Sequence, residues 1–274
     1  MKREYIYIIV AAFFIILFFS TTVDLERTNV DIIPIKGEIH TQRVSQGLFA
    51  TTLSSTEIIQ NIEQSAQDPR IKAIILEIDS PGGTPVASHE VVKAIKEADK
   101  PVVAWIRESG ASGAYWIASA ADYVISDELS ITGSVGVYAS YLEFSGLLAR
   151  YNVTYEQITG GELKALGDPF KELGEFEREV LEEKILLMHN FFLEDVKNNR
   201  NLTAEQYEEI RKGSFYLGLE AIELGLVDEL GGKAQAINYL ENKLGQSIET
   251  KTKVQRTRGL NLFGVQNNPL FKLS

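Results

Sequence analysis

Cysteine is absent from all 274 residues. That excludes disulfides, thiol nucleophiles and cysteine-bound metal, so stability rests on core packing. It says nothing against an external location, where disulfides are permitted but not required. Histidine is nearly as scarce. His40, His89 and His189 are the whole complement, and each reads as a surface or helix-packing residue before it reads as a base. Basic charge is in deficit, with 27 Lys and Arg against 38 Asp and Glu and a net charge of −11. A phosphate backbone needs a basic face, so nucleic acid is not an expected partner. The acidity reads as solubility.

Long apolar runs are also missing, with one exception. Tyr5–Val23 contains no charged residue and is rich in Ile, Phe, Val and Ala. As a helix it reaches about 28 Å, close to the thickness of a bilayer core. Lys2 and Arg3 precede it, and Asp24 and Glu26 follow with a single basic residue, Arg27. The positive-inside rule then puts the N-terminus in the cytoplasm and the rest of the chain outside. A cleaved signal peptide is the rival reading, but its apolar region is shorter, and Phe18-Phe19-Ser20-Thr21-Thr22 is a poor cleavage site. The expectation is a single-pass anchor over 1–28 at the cell membrane, with an extracytoplasmic domain over 29–248 and a mobile tail over 249–274. Asn152-Val153-Thr154 and Asn201-Leu202-Thr203 match the glycosylation pattern, which is common by chance.

The remainder alternates between two periodicities. Strands are expected at Val30–Ile39, Ile71–Ile78, Val102–Ile106, Tyr123–Ser126 and Thr154–Thr159. Helices are expected from a Ser54/Glu57 capping box to Asp68, from Pro85 to Ala98, from Ala114 to Ala121 and from Tyr141 to Tyr151. This order implies right-handed crossovers and an α/β fold with a mainly parallel sheet. Residues 160–174 read as a loop. A long helix, Glu175 to Asn199, follows, with Phe176, Val180, Ile185, Met188, Phe192 and Val196 as its expected buried stripe. Shorter helices are expected at Thr203–Lys212, Gly218–Leu224 and Lys233–Leu244.

Two small-residue turns stand at the ends of apolar strands. Asp79-Ser80-Pro81-Gly82-Gly83 closes the first, and Ser109-Gly110-Ala111-Ser112-Gly113 closes the next and opens a helix. A serine on such a turn is how α/β folds expose a nucleophile beside free backbone N–H groups. The Pro-Gly-Gly turn offers further N–H groups one strand away, so the pair suits a nucleophile and an oxyanion hole. Asp79 reads as a cap for that turn. A serine needs a base to take its proton, and lysine is an alternative to histidine where burial keeps the amine neutral. Lys164, in Gly161-Glu162-Leu163-Lys164-Ala165, has small and apolar neighbours and is one candidate.

Read together, Ser80–Gly83, Ser109–Asp122, Thr132–Val137 and Gly161–Ala165 resemble the motifs of the signal peptide peptidase A family. Gly218–Ala221 and Gly225–Gly231 resemble its closing segment, so the resemblance covers about residues 30 to 245. It implies a ClpP/crotonase-like fold and a membrane-anchored Ser/Lys peptidase of the short, single-unit form. By position, Ser112 matches the nucleophile, Lys164 the general base and Ser134 a serine that orients the lysine. Gly83 and Gly113 match the oxyanion-hole amides. Ala165 departs from the Asp that many members carry there, which leaves Lys171 as a fallback base. Ala114 replaces a second glycine, a small change.

The implied activity is hydrolysis of remnant signal peptides and other apolar peptides. The implied assembly is a homo-oligomeric ring or dome in which Ser and Lys of one site come from neighbouring protomers. No metal or cofactor is expected. Alternatives are a related Ser/Lys protease acting on a specific membrane partner, and a non-catalytic scaffold. A Ser-His-Asp peptidase of the same fold would need a histidine where Val137 stands. A crotonase-type acyl-CoA enzyme would need a cofactor that an external location lacks.

Overall fold

In the computed structural model, residues 28–43, 45–46 and 50–253 are described. The expected anchor over Tyr5–Val23 and most of the expected tail lie outside them. Among the described residues no helix is long and apolar enough to cross a membrane.

The chain runs β1 (Val30–Lys36), β2 (Ile39–His40), β3 (Ser45–Gln46), β4 (Ala50–Thr51), β5 (Leu53–Ser54), α1 (Ser55–Gln67), β6 (Ala73–Ser80) and α2 (Pro85–Lys96). It continues with β7 (Val102–Ala111), α3 (Gly113–Ser119), β8 (Tyr123–Ser126), β9 (Ile131–Gly133), α4 (Ser145–Arg150) and α5 (Glu175–Arg200). Last come α6 (Ala204–Ile210), β10 (Phe215–Leu217), α7 (Gly218–Ala221), β11 (Glu229–Leu230), α8 (Lys233–Leu244) and β12 (Thr250–Thr252).

The main sheet has the order β10-β9-β7-β6-β1-β12, with β8 also paired to β7 and β11 to β8. Every pairing in it is parallel except β9 with β10. The α/β class and mainly parallel sheet read from the sequence therefore hold, and they are compatible with the ClpP-like fold of the resemblance. The central strands are buried on both faces, which is why they read as nearly continuous apolar runs. Ile33, Ile35, Ile74, Leu76 and Ile78 pack toward the helices that surround the candidate site. Val30, Ile32, Ala73, Ile75 and Val103 pack on the opposite face against Ala236 and Leu240 of α8.

Several local expectations change. The single strand expected at Val30–Ile39 is broken by Gly37, which takes φ +88°, so that β2 leaves the main sheet. The capping box does not form. Ser54 Oγ donates to Thr41 C=O at 3.1 Å, and Arg43 Nε donates to Glu57 at 2.8 Å. A tertiary ion pair has taken the carboxylate that the box required. Thr154–Thr159 forms no strand and is exposed throughout; β-branched residues alone do not supply a pairing edge. The helix expected at Tyr141–Tyr151 shrinks to α4, none of whose residues is buried. In α5 only the C-terminal half docks, through Phe192, Leu193 and Val196, while Phe176 and Met188 of the expected stripe are exposed. Thr250–Thr252, expected within the tail, pairs with β1 as an edge strand.

Candidate active site

The register of β6 against β7 shapes the site. Ile78 pairs with Ile106, but Ser80 pairs with Gly110, so β7 carries extra residues at this point. A bulge of this kind bends and twists its strand. The first part of β7 pairs with β8, and Ser109–Ala111 pairs instead with β9. Ser112 is thereby delivered to the end of β7, flanked by the Pro-Gly-Gly turn on one side and the end of β9 on the other.

Ser112 takes φ +54° and ψ −128°, a sparsely populated conformation for a residue with a Cβ. It is held there. Its N–H donates to Gly133 C=O at 2.8 Å, and its C=O accepts Trp116 N–H at 3.0 Å as α3 begins. The same Gly133 precedes Ser134, whose φ is +52° and whose N–H donates to Ser214 C=O at 2.9 Å. The tie through Gly133 thus brings the two predicted serines to one place, and both line a cavity of about 990 Å³.

The glycine turn is pressed against the serine turn. A Cβ on Gly82 would lie 2.9 Å from Ala111 O, Gly113 N and Ser112 Cβ alike. The turn is anchored from behind: Ser80 Oγ donates to Gly37 C=O at 2.7 Å and accepts Gly82 N–H at 3.1 Å. Ile39 bridges to it through its own N–H to Gly82 C=O and through Thr84 N–H to Ile39 C=O, each 2.9 Å. Gly83 N–H takes no part in this bridge. Gly113 N–H is the first amide of α3 and has no preceding turn to accept it. The point a Gly113 Cβ would occupy is 3.3 Å from Gly83 N. Two amides without acceptors among the described residues therefore converge beside Ser112, the arrangement that stabilises a developing oxyanion.

The lysines are placed differently. Lys164 is exposed within the turn-rich segment 160–167, where its own N–H donates to Gly161 C=O at 3.2 Å. It does not line the Ser112 cavity. Lys171 is tied to Glu177 at 2.7 Å and does not line it either. The lysine that does is Lys212, accompanied by His189 and Glu38. Lys212 had no signal in the sequence beyond a helical i, i+3 pairing with Glu209, which the structure makes at 2.5 Å on an exposed surface.

A second, apolar pocket of about 240 Å³ opens at Ser112 and Gly113 and is walled by Trp116, Val137, Ile185, Met188 and Phe192. His89 stands behind its wall and not in the cavity. The imidazole stacks on Trp116 at 5.3 Å between centroids and meets Phe191 edge-on at 5.0 Å. Burial lowers its pKa from the ordinary 6.5; Lys93 and Lys96 add to this, and Asp195 and Glu90 oppose it. Folded His89 therefore binds a proton less readily than unfolded His89. Stability is expected to fall as pH drops below about 6.5 and to level off below the depressed folded value. Thermal melts of the wild type and His89→Phe between pH 7.5 and 5 check this. The difference in Tm between them is expected to shift in favour of the variant as the pH falls.

Against this geometry, the comparisons with known proteins decide the family. Residues 94–247 match the model of peptidase family S49. The chain belongs to that family. That agrees with the resemblance carried by the motifs. It is 32% identical over 196 residues to Protease 4 of Haemophilus influenzae, covering 70% of this chain and 32% of that protein. It is 28% identical over 228 residues to the chloroplastic serine protease SPPA of Arabidopsis thaliana, covering 82% of this chain and 34% of that protein. A Methanocaldococcus jannaschii protein named as a candidate protease is 32% identical over 185 residues, covering 67% of this chain and 60% of its own length. The S49 chain thus spans between about a third and three fifths of the length of these relatives.

Proposed function

We propose that this S49 chain is a membrane-anchored endopeptidase that uses Ser112 as nucleophile and Lys164 as general base. Its proposed substrates are remnant signal peptides and other apolar peptides released at the membrane. The observation that carries the reading is the conformation of Ser112, held at the mouth of a cavity between two uncommitted amides. The apolar pocket beside Ser112 supports an apolar residue at the scissile carbonyl. The anchor over residues 5–23 and the extracytoplasmic placement follow from the apolar run and the charges that flank it.

In the proposed reaction, neutral Lys164 accepts the Ser112 proton and the alkoxide attacks the peptide carbonyl. Gly83 and Gly113 N–H groups receive the oxyanion, and Ser134 orients the amine. Collapse expels the amine product, which takes its proton from the lysine. Water, deprotonated by the same lysine, then releases the acyl group and regenerates Ser112.

Within one chain Lys164 is exposed and does not line this cavity, and an amine serves as a base at neutral pH only when it is desolvated. The reading therefore includes a second copy of the chain, whose Lys164 completes the site. The segment that carries Lys164 is suited to that role, with Tyr138, Leu142, Leu147 and Ile158 exposed. Cleavage of a fluorogenic signal-peptide analogue tests the assignment of the base. Lys164→Ala is expected to lose activity by at least about a thousandfold, an effect in the range of removing a catalytic base. Lys171→Ala and Lys212→Ala are expected to stay within about tenfold of wild type. Full activity in Lys164→Ala sinks the assignment, and loss confined to Lys171→Ala or Lys212→Ala moves it to that residue.

A further inference from the structure

Apart from Val137, the large apolar side chains that wall the pocket come from two elements that the sequence separates widely, α3 and α5. Trp116 of α3 is 4% exposed and forms the wall together with Ile185, Met188 and Phe192 of α5. Its ring stacks on Phe192 at 4.6 Å with an interplanar angle of 22° and on His89 at 5.3 Å. A buried indole also needs an acceptor for its N–H. That acceptor is Asp195 of α5, whose Oδ2 receives Trp116 Nε1–H at 2.7 Å while Oδ1 receives Lys96 Nζ at 2.7 Å. Asp195 lies one helical turn from Phe192, so one carboxylate fixes the rotation of the ring and the seating of the helix that bears the opposite wall.

We propose that Asp195 is a positioning residue that sets the side-chain preference of the site, by pinning Trp116 of α3 to α5 and holding the pocket beside Ser112 open to a large apolar residue. The inference rests on the Ser112 reading and extends it, since Asp195 lines no part of the pocket itself. Phe192, Leu193 and Val196 seat the C-terminal half of α5 in the core, and polar ties to α3 are few. The N-terminal half of α5 leaves Leu186 and Leu187 exposed, and the Asn199 to Ser119 bond at 3.0 Å is the next polar tie to α3. The Lys96 partner contributes less than the indole bond, because its side chain is 43% exposed and the ion pair is screened.

The test compares two fluorogenic peptides that differ only in leucine or alanine at the scissile carbonyl. In Asp195→Val, the leucine-over-alanine ratio of kcat/KM is expected to fall about tenfold, the discrimination that a few pocket methylenes supply. Asp195→Asn, which keeps an oxygen for the indole, is expected to keep most of the preference. Trp116→Phe should reproduce the loss, and adding Asp195→Val to it should cost nothing further, because the two act through one contact. The chain has two tryptophans, so in a Trp105→Phe background the Trp116 emission reports the wall directly and should move to the red in Asp195→Val.

An unchanged ratio in Asp195→Val, or equal losses on both peptides, overturns the proposal. If Asp195→Val does not fold, an unchanged ratio in Trp116→Phe overturns it in the same way. A fluorophosphonate that labels the serine without entering the pocket separates the role of Ser112 from that of Asp195. Wild type that is not labelled at Ser112 contradicts the nucleophile assignment and removes the inference with it. Labelled variants with unchanged preference contradict the inference alone.

Discussion

Gly83→Ala is expected to abolish peptide hydrolysis and destabilise the domain together. A Cβ built on Gly83 falls 1.9 Å from Ile39 O and 2.6 Å from Ile39 C. These are backbone atoms of a fully buried residue that also bridges to the turn on both sides. No rotamer change relieves the clash, so the turn or β2 must move. The cost is about 3 kcal/mol or more, in the range of severe overpacking. The same movement displaces the Gly83 amide from the proposed oxyanion position, and loss of one such donor lowers kcat by about a hundredfold to a thousandfold. Chemical denaturation and steady-state kinetics on the one variant check both effects. Wild-type stability with wild-type kcat would mean that the turn is not a rigid support for the oxyanion.

Ser112→Gly is expected to separate stability from activity in the opposite direction. Ser112 holds φ +54° and ψ −128°, and glycine occupies such a region without a Cβ penalty. Relief of about 1–3 kcal/mol of backbone strain, less about 0.5–1 kcal/mol for the more flexible unfolded chain, leaves a net gain of about 1 kcal/mol. Turnover should fall by at least about 10⁴-fold, because the only proposed attacking group is gone. Ser112→Ala should be as inactive without the gain, since alanine keeps the Cβ. A more stable, inactive Ser112→Gly is the signature of a residue strained for its role. If Ser112→Gly proves less stable than Ser112→Ala, Ser112 carries no such strain.

Much of this arrangement was legible in the sequence. The Pro-Gly-Gly and Ser112 turns showed themselves as small-residue breaks after apolar runs, and the sheet brings them into contact because β6 and β7 are neighbours. Ser134 needed the resemblance, since nothing local distinguishes it. Its meeting with Ser112 depends on Gly133 and on β9, a strand too short for a periodic signal. The buried stripe of α5 was half legible. Phe192 and Val196 dock, but Phe176 is exposed and Met188 faces the pocket beside Ser112, not the core. Periodicity records that a face is apolar; it does not record what covers it. Asp195 was invisible for a related reason, because its partners Trp116 and Lys96 lie in other elements and only the fold brings them together. Lys164 shows the limit most clearly, since its position in the sequence matches a catalytic residue while its place in the single chain is on the surface.

The central claim is that Ser112 of one chain and Lys164 of a neighbour form one site, and mixing two inactive variants tests it most directly. Ser112→Ala and Lys164→Ala are each expected to be inactive alone. Co-assembled in equal amounts, half of the serine positions are intact and half of their neighbouring lysines are intact. Random incorporation around a closed ring then predicts recovery of about a quarter of wild-type activity. If co-assembly is verified and the mixture stays inactive, the two residues do not act across a chain boundary, and a site shared between neighbouring chains is contradicted.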